Sequence, residues 1–90
     1  MKRSKMKRRL FYEMITPDHD KIDDAVLALL LLGLHDEFGS VWKSFDWDAL
    51  DRLHDKGLIS NPKRKTKSVV LTDEGREEAE RLFKRLFAKS

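Results

Sequence analysis

Ninety residues, 40% hydrophobic and 39% charged, with a net charge of +3, describe one small domain that buries only about 60–65% of its unfolded surface. The absence of cysteine excludes a disulfide framework and a thiolate metal site. The apolar run 25–32 is too short to span a bilayer and the basic N-terminus leads into no signal-peptide core, so a soluble, cytoplasmic protein without a membrane partner is expected.

The charge is strongly segregated. Residues 1–14 carry six Lys/Arg against one Glu, residues 15–56 ten Asp/Glu against four Lys/Arg, and residues 57–68 four Lys/Arg with no acid, while residues 69–90 balance. Two cationic patches therefore bracket an acidic body, a pattern that bears on partners rather than on fold.

In chain order, residues 1–15 read as a basic, flexible tail, because a dense like-charge run carries few apolar anchors. Residues 16–90 form the domain. Its first helix is expected to start between Thr16 and Asp20, with Pro17 suited to a first turn and Asp20 and Asp23 resembling a capping box. It runs to about Leu34 and is apolar on every face from Ala25 onward, which requires burial all round. Residues 36–45 read as a loop containing Gly39 and three aromatics, Phe38, Trp42 and Phe45.

A second helix over residues 46–56 places Trp47, Leu50, Leu53 and His54 on one face, and Gly57 supplies the left-handed stop. Leu58-Ile59 and Ser68-Val69-Val70-Leu71 then read as two strands of a hairpin whose cationic loop opens with Asn61-Pro62. Thr72 caps a last helix, with Asp73 and Glu74 in its first turn. Along that helix Ala79, Leu82, Phe83, Leu86 and Phe87 recur at amphipathic spacing. The expected fold is thus α+β and mainly helical, in the order helix, helix, strand, strand, helix.

The order helix, glycine, strand, basic loop, strand, capped helix over residues 46–87 resembles the C-terminal half of winged-helix regulators of the MarR and PadR type. The resemblance implies a small winged-helix-like domain, with the segment before Gly57 as the end of the recognition helix and the basic loop as the wing. Upstream the chain departs from that pattern, because only a short aromatic segment stands where a second helix-turn-helix element belongs. Over residues 20–87 the chain is similar to a family of small bacterial proteins of unassigned function. That likeness is carried by Lys21-Ile22-Asp23-Asp24-Ala25-Val26-Leu27-Ala28-Leu29-Leu30, Leu34-His35-Asp36, Phe45-Asp46-Trp47-Asp48-Ala49-Leu50-Asp51-Arg52-Leu53-His54 and Lys67-Ser68-Val69-Val70-Leu71-Thr72.

A recognition helix would offer the major groove the face bearing Asp48, Asp51, Arg52 and Asp55, and three carboxylates against one guanidinium repel phosphates. Nucleic acid is instead expected at Lys63, Arg64, Lys65 and Lys67 of the loop, with Arg8 and Arg9 of the tail adding non-specific affinity. The competing reading is a protein-interaction module that has kept the fold and lost DNA binding, using its acidic helix and apolar first helix for protein partners; the loop charges would then protect a strand edge. The apolar first helix points to a homodimer with Ile22, Val26, Leu29 and Leu30 at the interface. Phe38, Trp42, Phe45 and Trp47 are expected to fill the core where the extra helix is missing, although a stacking platform has the same composition. His54 reads as a hydrogen-bonded core histidine. Neither Asp18-His19-Asp20 nor His35-Asp36-Glu37 has metal-ligand spacing, and no catalytic motif is present, so no cofactor, no metal and no enzymatic activity are expected.

Overall fold

The computed structural model describes residues 15–43, 45–63 and 67–89. Among the described residues, three α-helices and a two-stranded antiparallel sheet make up the domain: α1 (His19–Leu30), β1 (Ser40–Trp42), α2 (Trp47–Asp55), β2 (Ser68–Val70) and α3 (Asp73–Phe87). Helix α1 opens on Asp18, whose carboxylate accepts from the Lys21 amide at 3.1 Å. The cap is thus Asp18 rather than an Asp20–Asp23 box, and Asp23 is freed for another role. The α-helix ends at Leu30 and tightens into a 3₁₀ turn over Leu31–Gly33. It stops short of Leu34 because Leu34 must be extended to bridge Val41 across a tight reversal.

That reversal creates the main departure from the expected fold. Asp36 accepts from the amides of Phe38 and Ser40 at 2.9 and 3.0 Å, and His35 N–H donates to the Ser40 carbonyl at 3.0 Å. Gly39 takes φ +91°, open to glycine at no steric cost, and its carbonyl accepts from Leu71 N–H at 2.9 Å. The chain leaves the turn as strand β1, inside the segment read as a loop. Strand β1 pairs with β2 in the register Ser40↔Val70, Val41↔Val69, Trp42↔Ser68. The expected hairpin from Leu58-Ile59 is correspondingly reduced to one bridge, Ile59↔Leu71, supported by Ser60 N–H donating to the Val70 carbonyl. The order is therefore helix, strand, helix, strand, helix. β1 pairs through the backbone of Lys67 and Leu71, whereas Leu58 and Ser60 pair through that of Thr72 and Val70, so the two segments lie on opposite edges of β2.

The other local signals act as expected. Gly57 stops α2 at φ +77° and the Thr72 hydroxyl caps α3 through the Gly75 amide; Asp46, not singled out in the sequence as a cap, accepts from the Ala49 amide at the start of α2. Val26, Leu27 and Leu30 of α1, Leu50 and Leu53 of α2, and Ala79 and Leu82 of α3 close the core over Val41, Ile59, Val69 and Leu71. Helix α1 packs along α3 and α2. Its apolar surface is consequently divided, with Leu27, Ala28 and Leu30 enclosed by the chain's own helices and Leu29 only half-covered.

Candidate nucleic-acid interface

The chemistry closest to the core is a carboxylate. Asp23 is only 1% exposed although it lies in an acidic helix. Arg52 of α2 donates to it from Nε at 2.9 Å to each oxygen and approaches again through Nη2 at 2.8 Å, and Lys56 adds Nζ at 3.0 Å. Burial works against ionisation of Asp23, but the hydrogen bonds and charges of Arg52 and Lys56 outweigh it and hold the carboxyl below its ordinary range. In return, hydrogen bonding to Asp23 raises Arg52 and Lys56 above theirs.

The triad changes the character of α2. Arg52 shared the face assigned to DNA reading, yet its guanidinium is turned onto α1. Asp48 and Asp55 stay exposed and Asp51 half-exposed. The outward side of α2 is therefore more acidic than sequence spacing implies. Only the tertiary partner 29 residues away reveals which way Arg52 turns.

The opposite charge gathers at the far end of the sheet. Just beyond β1, Lys43 donates its backbone N–H to the Lys67 carbonyl at 3.1 Å and its Nζ to the Pro62 carbonyl at 2.7 Å. Lys43 thus stands against both ends of the cationic loop, beside the exposed Lys63 and Lys67. Sequence reasoning did not single out Lys43, because it belongs to the acid-rich stretch of the chain. Its Nζ also lies 5.6 Å from the centroid of the Trp47 ring, within cation–π range. Of the residues expected to hold nucleic acid, Lys63 and Lys67 are placed here. Arg8, Arg9, Arg64 and Lys65 lie outside the described residues.

The aromatic cluster does not plug the core. Phe38 is 76% exposed, Trp47 60% and Trp42 49%, and only Phe45 packs partly against the interior. The reason is the strand pleat: Val41 points inward from β1, so its neighbour Trp42 must point outward. Trp42 then stacks on His35, with ring centroids 4.1 Å apart. With Leu29, Leu32, Gly33 and Phe45 it lines a shallow apolar groove of about 390 Å³. Leu32 stands 71% exposed on its rim.

His35 and Asp36 have structural duties in this turn. The His35 Nδ1–H donates to the Gly33 carbonyl, and amide hydrogen bonds from Ser40 and Phe38 hold Asp36 below its usual range. His54 is hydrogen-bonded, through Nδ1–H to the Ile59 carbonyl at 3.0 Å, but it is exposed rather than in the core. Of the expected dimer residues, Val26 and Leu30 are committed to the chain's own core, whereas Ile22 and Leu29 retain accessible surface.

Fold and surface together define a small α+β domain, mainly helical, with an acidic flank and a cationic end. The chain belongs to the family described as a domain of unknown function, DUF6429, which matches residues 18–89. It is 61% identical over 72 residues to the uncharacterized protein y4hR of Sinorhizobium fredii (strain NBRC 101917 / NGR234), covering 80% of this chain and 96% of that protein. No solved structure matches it. No helix of the described residues is long and apolar enough to cross a membrane.

Proposed function

We propose that this protein is a reduced winged-helix module, cytoplasmic, that binds nucleic acid through its cationic end without reading sequence, and that it has no catalytic role. The observation that carries the proposal is the gathering of Lys43 with Lys63 and Lys67, since the hydrogen bonds of Lys43 bring a cation from the acidic body to the basic loop. Arg64 and Lys65 belong to the same loop in sequence, and Arg8 and Arg9 extend the basic charge at the N-terminus. The order α2, Ile59, basic loop, β2, α3 supports a wing-like origin for this end, and that support is by analogy. Helix α2 is not the reader, because its guanidinium is bound to Asp23 and its free face is acidic.

The test is a salt titration of binding to duplex DNA by fluorescence anisotropy, with chains starting at Met1 and at Met14. Each phosphate contact contributes about 0.9 to the slope of log affinity against log salt. The pair Lys63→Glu and Lys67→Glu is therefore expected to weaken binding uniformly across sequences and to lower the slope by about 1.8. No binding at low salt by either chain would overturn the proposal.

A second reading is supported by the groove between Leu29, Leu32, Trp42 and Phe45, an exposed apolar surface that suits a second copy of this chain or another protein. It keeps the homodimer but shifts its contacts from Val26 and Leu30 to Leu29, Leu32 and Ile22. Sedimentation velocity at tens of micromolar decides it: a dimer that Leu32→Glu dissociates supports it, and a monomer at that concentration refutes it.

A further inference from the structure

We infer that the cationic end prefers single-stranded nucleic acid, with one unpaired base stacking on Trp47 while Lys43, Lys63 and Lys67 hold the phosphates beside it. The inference rests on the nucleic-acid proposal above and adds the class of ligand.

Trp47 is an unusual residue to leave in water. An indole is among the largest apolar surfaces a side chain offers, and a small domain gains by covering it. Here it stands in the first turn of α2, 60% exposed, although Leu50 and Leu53 of the same helix are almost fully buried. Lys43 Nζ lies 5.6 Å from its ring centroid. That lysine is also hydrogen-bonded to the carbonyl of Pro62, next to the exposed Lys63, and its backbone is bonded to Lys67. An open aromatic surface therefore adjoins the Lys43 ammonium, which is bonded to the chain next to the exposed Lys63, while the Lys43 backbone is bonded to that of the exposed Lys67; aromatic surface and positive charge together are the combination that binds single strands. A duplex keeps its bases stacked inside and offers such a ring nothing, so the indole discriminates where the lysines do not.

The neighbouring charges fix the direction of approach. Asp46 and Asp48 flank Trp47 on α2 and are exposed, and Asp46 is engaged with the Ala49 amide. Phosphates are repelled along α2 and drawn toward Lys43, Lys63 and Lys67. The other exposed indole, Trp42, is already stacked on His35 and lines the apolar groove, which makes it the internal control.

The experiment compares a fluorescein-labelled oligothymidylate with a duplex of equal length at low salt, using the full chain and the variants Trp47→Ala, Trp47→Phe, Trp42→Ala and Lys63→Glu/Lys67→Glu. Folding of each variant is checked by circular dichroism. Trp47→Ala is expected to weaken single-strand binding about 5- to 150-fold, the range of one lost base stack. Duplex binding should stay at the wild-type level, Trp47→Phe should recover part of the loss, and Trp42→Ala should bind both ligands as the wild type does. If single strands and duplex bind equally and neither responds to Trp47→Ala, the inference is overturned while the nucleic-acid proposal stands. If the wild-type chain binds neither, or binding ignores the two lysines, the nucleic-acid proposal falls and takes the inference with it.

Discussion

Replacing Arg52 by alanine tests the Asp23 triad most directly. Arg52 bonds both oxygens of Asp23, and its loss leaves a carboxylate that is 1% exposed with Lys56 as the one remaining cation within bonding distance among the described residues. Removing one partner of a buried pair costs about 3–5 kcal/mol. Two features of the site reduce that figure. Lys56 keeps its 3.0 Å contact, and the place vacated by Arg52, whose side chain is 28% exposed, admits water to the carboxylate. A loss of about 3 kcal/mol is therefore expected from Arg52→Ala. For a domain of this size, with a total stability of roughly 5–13 kcal/mol, that is a large fraction. It corresponds to a fall of roughly 12–24 °C in melting temperature. Lys56→Ala should cost only about 1 kcal/mol, because its side chain is 40% exposed and solvent screens the pair. The double variant Asp23→Leu/Arg52→Leu should recover much of the loss, since an apolar pair of similar volume carries no desolvation cost. Urea unfolding of the single and double variants measures all three. If Arg52→Ala unfolds at the wild-type urea midpoint, or Lys56→Ala is the more damaging, the triad does not hold α1 to α2 as described.

The same carboxylate predicts an acid limit. Its folded pKa is depressed, so its contribution is complete above the unfolded carboxylate value near about 3.9 and is lost as pH falls through the lower folded value. Melting temperature should drop below about pH 4, and less steeply in Asp23→Asn, whose starting stability is lower; equal slopes would remove Asp23 from the account. Gly75→Ala should destabilise by about 2–3 kcal/mol, because a Cβ there overlaps the Leu58 carbonyl oxygen, which is itself held by the Thr72 amide. A neutral result in thermal melts would show that this contact relaxes freely. Thr72→Ala should cost about 1–2 kcal/mol, since its hydroxyl both caps the Gly75 amide and donates to the Gly57 carbonyl. Chemical denaturation checks the value, and no change would mean that water replaces the cap.

What the sequence determined by itself was local. Thr72 caps α3 because a side-chain oxygen three residues before an amide reaches it without help from the rest of the fold. Gly57 ends α2 because a positive φ costs it nothing, and the spacing of Ala79 and Leu82 defines the buried side of α3 wherever α3 packs. Composition and cap pattern likewise sufficed for a small, mainly helical α+β domain. The tertiary structure alone decided what depends on distant partners. Asp23 is a buried ion rather than a capping residue because Arg52 and Lys56, 29 and 33 residues away, meet it. The β1 segment was unreadable as a strand because three residues gain hydrogen bonds only once β2, distant in sequence, lies beside them. The same pleat that buries Val41 exposes Trp42, and the fold that carries Lys43 to Pro62 leaves Trp47 uncovered at the cationic end. Neither outcome has a signature within a few residues of chain, because burial of a side chain is a property of what folds over it.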